Sequence, residues 1–291
     1  MRGRADLNTV AVVTDSIACL TPEQRQTHNI GVVPLMVNFG GKSYRDGVDV
    51  TATQAYEFFL QKPDDFTTST PGPLDFVNAF RDAIKRGAES ILCITVSSRL
   101  SSTHTVGLMA KQYAVAEMPK VRVEVMDSWT ASAAEGFIAL AAARAAESGA
   151  RLDEVVKAAA GVKDRVALYV LLDTVRHVYR SGRVPRIASQ AGSVLNIRPL
   201  FNISGKVHLM GVARSRERGL DSILHRIKEK VGNKPVHAAV MHAYAPDAAI
   251  ALKERVAKEF RCTELWLTEF SPLMGYACGT GTLAVAFYSG D

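Results

Sequence analysis

The chain has 291 residues, of which 47% are hydrophobic and 22% charged, an ordinary globular composition with length for two domains. A formal charge of +6 permits an acidic partner, but no nucleic-acid motif accompanies it, and a modest arginine excess reads as a solvated face. Cys19, Cys93, Cys262 and Cys278 are widely spread, with no C-x-x-C pair and no histidine at zinc-ligand spacing, so neither a disulfide framework nor a structural metal is indicated and a reducing cytoplasm is expected.

Met1 to Thr9 carries two arginines but no apolar core of a signal peptide, and Val10 to Val13 already reads as a strand, running into Thr14-Asp15-Ser16. Those three polar residues suit an Asx turn and direct ligand contact equally. Thr21 to Gln26 is a short helix with Pro22 in its first turn, and Ile30 to Phe39 reads as one strand turned by Gly40-Gly41. Thr51 and Gln54 have capping-box spacing ahead of a helix containing Tyr56, Phe58, Phe59 and Leu60. Phe66 to Pro73 contains Pro71 and Pro73 and is expected to be a rigid loop presenting hydroxyls. Pro73 to Arg86 is a helix stopped by Gly87.

Ile91 to Ile94 is a buried strand, followed by Ser97-Ser98-Arg99-Leu100-Ser101-Ser102-Thr103-His104 and then by a helix, Thr105 to Met118, with Val106, Met109, Ala110 and Tyr113 at helical spacing. Hydroxyls crowd the point where a helix leaves its first N–H groups unpaired, which makes an anion-binding corner at a strand's carboxyl end. Capping needs one hydroxyl, and this loop has five. Val121 to Met126 is a strand ending on Asp127-Ser128, and Thr130 to Ser148 a long alanine-rich helix. Its apolar run from Phe137 is interrupted by Arg144 and Glu147, so no membrane insertion is expected. Strands alternating with helices imply a doubly wound, mostly parallel sheet in an N-terminal α/β domain, residues 1–162.

Residues 163–291 change character. After a helix at Asp153 to Ala160 come a strand at Ala167 to Leu172, a helix at Thr174 to Arg180 and a hairpin of Leu200 to Ile203 and Val207 to Val212 turning at Ser204-Gly205. Val236 to Tyr244 and Leu265 to Phe270 are strands separated by a helix, Pro246 to Phe260; Leu283 to Tyr288 is the last strand, after Gly279-Thr280-Gly281-Thr282. This pattern implies a C-terminal α+β domain with an antiparallel sheet. Arg176, Arg180 and Arg183 share a helical face, read as an exposed face with a partner surface as the alternative, and His242 lies on an apolar strand as a satisfied core or near-site residue.

Seven short motifs then stand in one order: TDS at Thr14 to Ser16, TSTP at Thr68 to Pro71, SSRLSST at Ser97 to Thr103, DS at Asp127-Ser128, SGR at Ser181 to Arg183, LNIRP at Leu195 to Pro199 and GTGT at Gly279 to Thr282. In order and spacing the chain resembles the DegV family of bacterial fatty-acid-binding proteins across nearly its whole length. The resemblance implies one long-chain fatty acid between the two domains, its carboxylate met by hydroxyls and its tail in an apolar tunnel. It also implies a lipid-binding subunit without independent catalysis, needing no cofactor or metal, which presents the acid to an ATP-dependent kinase for acyl-phosphate formation. By motif, the ligand-binding residues are Thr68, Ser69, Ser97, Ser98, Ser101, Ser102, Arg183, Gly279 and Thr280, and Arg183, Arg214 and Arg216 are candidates for the kinase-facing surface. Three positions depart from the family pattern: Ala277 replaces a histidine, Ser102 a glycine and His104 a tyrosine, so either Ser102 or His104 compensates for the missing histidine or the head group differs.

Two rival functions have weaker support. A serine hydrolase lacks the G-x-S-x-G elbow, and His104 has no orienting acid in sequence. A site for a small phosphorylated metabolite would use Gly279 to Thr282 and the serine loop as a cradle, with Arg183, Arg198 and Arg214 as counter-charges. An apolar tunnel separates the lipid reading from a short polar phosphate site.

Overall fold

The computed structural model describes residues 9–174, 181–183 and 197–290. The chain begins with β1 (Val10–Asp15), a one-turn 3-10 helix at Ser16–Ala18, α1 (Pro22–Thr27) and β2 (Gly31–Val33). A hairpin of β3 (Met36–Phe39) and β4 (Lys42–Arg45) leads into α2 (Ala52–Gln61), β5 (Thr67–Ser69) and α3 (Pro73–Lys85). Next come β6 (Ser90–Thr95), α4 (Thr103–Glu117), β7 (Arg122–Asp127), α5 (Ser132–Glu147) and α6 (Leu152–Lys163). The remainder is β8 (Ala167–Leu171), β9 (Arg198–Ser204), β10 (Lys206–Ala213), α7 (Arg216–Val231), β11 (Val236–His242), α8 (Pro246–Glu259), β12 (Cys262–Glu269), α9 (Pro272–Cys278) and β13 (Leu283–Ser289).

The first sheet has the order β2-β1-β6-β7 with every pair parallel, and helices cover both faces, as its continuous apolar strands require. The second, six-stranded sheet has the order β10-β9-β8-β13-β11-β12 and is antiparallel except for β11 and β12, which are joined through α8 as a parallel crossover. A small antiparallel sheet, β4-β3-β5, stands beside them.

Two readings of the sequence are corrected, and two helices are added. Ile30 to Phe39 is two strands in different sheets, because Pro34 has no N–H for a ladder and Leu35 instead donates its N–H to Ser16 Oγ at 3.1 Å. The stretch Phe66 to Pro73 is not all loop: Thr67–Ser69 pairs with Met36–Asn38. Helices α7 and α9 were not legible; α7 is rich in charge, with an apolar stripe at Leu220, Ile223, Leu224, Ile227 and Val231, and α9 is a single short segment. The helix expected at Thr174 to Arg180, with Arg176 and Arg180, and the start of LNIRP lie outside the described residues. Among the described residues no helix is long and apolar enough to cross a membrane.

Helix α5 joins the two halves. Eleven of its sixteen residues are buried, so it is enclosed on all sides where a surface helix would bury one stripe. It contacts β1 and β6 of the first sheet and β8 and β13 of the second, and one apolar core runs through all of them. Small side chains make this possible: a Cβ on Gly136 would stand 2.6 Å from the Ala18 carbonyl oxygen and 3.2 Å from Leu20 Cδ2. Backbone cannot yield as a side chain tip can. Gly136→Ala, which by helix propensity alone should stabilise by about 1 kcal/mol, is therefore expected to destabilise by about 2 kcal/mol through overpacking. Chemical denaturation checks the sign; a midpoint equal to or above the parent's would show that α5 has room to shift.

Candidate functional site

The site grows from the carboxyl ends of β1 and β6. Asp15 is buried at the end of β1, and its two carboxylate oxygens accept hydrogen bonds from the N–H groups of Ile17 and Val96, each at 2.9 Å. One side chain thus ties together the chain leaving both central strands. Burial pushes the Asp15 carboxyl up to about 7, against the opposing pull of those two N–H donors. Two more acids are buried nearby. Glu135 accepts from Thr14 Oγ1 at 3.1 Å and Asp46 from Ser271 Oγ at 2.6 Å, and burial raises both.

Ile17 and Val96, held in this way, form one wall of a pocket of about 790 Å³ including its open mouth. Leu100 extends the same wall; Val170, Leu172, Phe201, Ile203 and Val207 face it from the second sheet. Leu35, Leu273, Met274, Ala277 and Cys278 close a third side, where α9 packs against α2 and β5. The polar groups on this lining are Thr68, Ser101, Ser181, Tyr276 and Arg183. Burial pushes the Cys278 thiol up to about 12, so it stays protonated and serves as apolar lining. Among the described residues no group of three or more histidine, cysteine or acidic side chains is arranged to hold a metal ion.

Of the residues singled out in the sequence, Thr68, Ser101 and Arg183 line this pocket. Ser101 Oγ shares a 2.8 Å hydrogen bond with Thr103 Oγ1 and accepts from Thr103 N–H at 3.3 Å, at the N-terminus of α4. Arg183 is exposed, its guanidinium donating to the carbonyls of Ser181 at 2.6 Å and Leu100 at 3.3 Å. Ser97 is buried off the lining and has a structural bond: its hydroxyl donates to Gly205 O at 2.7 Å, fastening the serine loop to the β9–β10 turn. Ser98 and Ser102 are exposed, and Ser69 is exposed with its hydroxyl near Asn38 Nδ2 at 3.4 Å. His104 Nδ1 lies 3.0 Å from Thr95 Oγ1, away from the lining.

Gly279 and Thr280 also fall outside it; Gly279 ends α9 at φ +82°, and Gly281, at the same φ, lies where a Cβ would meet Asp173 at 2.8 Å. Arg216 and Arg198 both pair with Asp173 Oδ1, at 2.8 and 3.1 Å, while Arg214 is exposed. His242 accepts from Ala245 N–H at 3.2 Å, as a satisfied residue beneath α8. Ser181 and Tyr276 were not picked out as contacts; Ser181 stood inside the SGR motif, but nothing in its sequence marked it as buried, and Tyr276 was overshadowed by the substitution at Ala277.

Residues 9–290 match the family model described as "Uncharacterised protein, DegV family". A DegV domain-containing protein of Streptomyces coelicolor is 33% identical over 282 residues, 96% of this chain and 98% of the relative. Among solved structures, that reporting fatty acid binding of a DegV family protein from Thermus thermophilus superposes with a TM-score of 0.87 at 28% identity, covering 97% of this chain and 99% of the other. The structure of DegV, a fatty acid binding protein from Bacillus subtilis, gives 0.84 at 26% identity, with 97% and 99% covered.

The Asp15 clamp has a pH signature. With its folded value raised to about 7 from 3.8, the group's contribution to stability is fully present below pH 4 and is lost as pH rises through 7. Asp15→Asn cannot titrate and leaves one of the two N–H donors without an acceptor, so it should be less stable than the parent. The parent's advantage should shrink between pH 4 and pH 7, read as the difference in denaturation midpoints at each pH. A constant difference across that window would mean that Asp15 titrates normally.

Proposed function

The chain belongs to the DegV family, and from that membership we propose that it binds one long-chain fatty acid between two domains, taken as residues 1–162 and 163–291. The observation carrying this reading is the lining of the pocket: aliphatic on three sides, with neutral hydroxyls from Thr68, Ser101, Ser181 and Tyr276 and one exposed cation, Arg183. Each methylene buried in such a pocket contributes about 0.8 kcal/mol, so the tail supplies on the order of 10 kcal/mol before ordering costs. The head group then sets orientation. A carboxylate leaving water needs nearly complete hydrogen bonding, and hydroxyls together with the positive end of α4 near Ser101 suit it. Ala277 contributes no donor where the family pattern has a histidine, and the neighbouring Tyr276 hydroxyl takes that part.

A short polar phosphate site fits less well, since Arg198 is already neutralised by Asp173 and the walls are apolar. For a serine hydrolase the histidine is misplaced: His104 bonds Thr95. The protein therefore acts without catalysis of its own and, in the cytoplasm, presents the bound acid to a partner kinase that forms the acyl-phosphate. Arg183, Arg214 and Arg216 supply the surface for that partner.

Protein purified from a bacterial host should show, by native mass spectrometry, a mass excess equal to one fatty acid, identified after extraction. Met274→Trp, at a half-buried position on the lining, should abolish that excess while leaving the melting transition cooperative. Absence of lipid in the parent, or its full retention in the variant, would refute the proposed pocket. Thr68→Ala should weaken binding by about tenfold, the loss of one charge-assisted hydrogen bond worth roughly 1.5 kcal/mol, in a fluorescent fatty-acid displacement titration; unchanged affinity would remove Thr68 from the head-group contacts.

A further inference from the structure

A second cavity, chemically opposite to the first, lies at the edge of the six-stranded sheet. It occupies about 780 Å³ including its open side, between β10 and α7, with Gly211 and Val212 on the strand, Arg218, Ser222 and Arg226 on the helix, and Arg214 between the two elements. Arg218, Ser222 and Arg226 are spaced by four residues and share one helix face, a row about 12 Å long at 1.5 Å per residue. Leu200 forms part of the lining. Its neighbours Phe201 and Ile203 line the apolar pocket, and the two cavities have no lining residue in common.

Three guanidinium groups share this groove, and among the described residues no acid lines it. Of the carboxylates close by in sequence, Glu217 is exposed and does not line the groove, and three others have partners elsewhere. Asp173 holds Arg216 and Arg198, Asp221 holds Arg255 at 2.8 Å, and Glu229 pairs with His225 at 3.3 Å. Arg226 is oriented by a hydrogen bond from Nη2 to the Met210 carbonyl at 3.3 Å, at the register shift in β10, while its Nε is buried without an acceptor. Like charges held together beside a buried N–H with no protein acceptor are unfavourable, and an oxyanion relieves both conditions at once.

We propose that this groove binds a small molecule carrying two or more linked phosphoryl groups, a di- or triphosphate. Guanidinium forks match phosphate oxygens in pairs, the row of cations is longer than a single phosphate, and Gly211 lets the strand backbone approach. Ser222 adds a hydroxyl donor, and Leu200 with Val212 suits an uncharged remainder of the ligand. The groove shares no residue with the apolar pocket, and Arg214, given above to the kinase-facing surface, is the one residue it has in common with the fatty-acid reading.

Isothermal titration of the full chain with tripolyphosphate at physiological ionic strength tests it. One saturable site is expected, weakened at least tenfold, or about 1.4 kcal/mol, in R218Q/R226Q and also weakened in R218K/R226K, which keeps the charge but loses the forks. R151Q/R261Q, two exposed arginines away from the groove, removes the same charge and should bind as the parent does. Melting temperature and lipid content, measured on every variant, report folding, and the lysine pair gives the answer if the glutamine pair fails to fold. Absence of saturable binding, equal loss in R151Q/R261Q, or an acidic peptide binding as tightly as tripolyphosphate would each overturn the proposal.

Discussion

The contact between Gly136 and the Ala18 carbonyl sets the spacing on which the two-domain architecture depends. At Gly136 helix α5 approaches the chain leaving β1, at Ala18 and Leu20, so closely that no side chain fits, and along its length it packs on β1 and β6 of the first sheet and on β8 and β13 of the second. A helix lined with leucine or phenylalanine would hold the sheets farther apart, because close-packed interiors accommodate extra volume only by strain or displacement. Alanines at 133, 134, 139, 142 and 143 keep the layer thin while excluding water. Where the strands run past this layer, at Ile17, Val96 and Leu172, the sheets face each other across the apolar pocket.

The buried acids beside α5 belong to the same construction. Asp15 links two strand exits through backbone N–H groups that would otherwise be left without partners, a role a carboxylate fills with both oxygens and a hydroxyl cannot. Its raised protonation range is the consequence of removing it from water. Ser97 performs a comparable task between the two halves, from the serine loop to Gly205. Part of the hydroxyl density in the serine loop is thus structural: Ser97 fastens it, Ser101 meets the pocket, and Ser98 and Ser102 face solvent.

The second sheet separates two environments because its strands alternate side chains between faces. Phe201 and Ile203 contribute to the apolar pocket; Leu200 contributes to the cationic groove under α7. The arginines divide likewise. Arg198 and Arg216 are balanced by Asp173, whereas Arg214, Arg218 and Arg226 share a groove with no acid in it. Formal charge counted along the chain conceals this division, since it depends on which carboxylate each guanidinium reaches in three dimensions.

By itself the sequence determined the parallel β/α alternation of the first half, the capping box at Thr51 and Gln54, the hairpin turning at Gly205 and the family, since each rests on local periodicity, turn chemistry or an ordered run of short motifs. Local signals also misread Ile30 to Phe39, where one proline divides strands that then join different sheets, and passed over Thr67–Ser69, whose pairing partner lies thirty residues away in the chain. Only tertiary structure decided which hydroxyls reach the pocket: Thr68 and Ser101 do, whereas Ser97 is turned toward Gly205 by a hydrogen bond spanning 108 positions. Ser181 and Tyr276 join the lining for the same physical reason, because a side chain's environment is set by residues distant in sequence that folding brings within contact range.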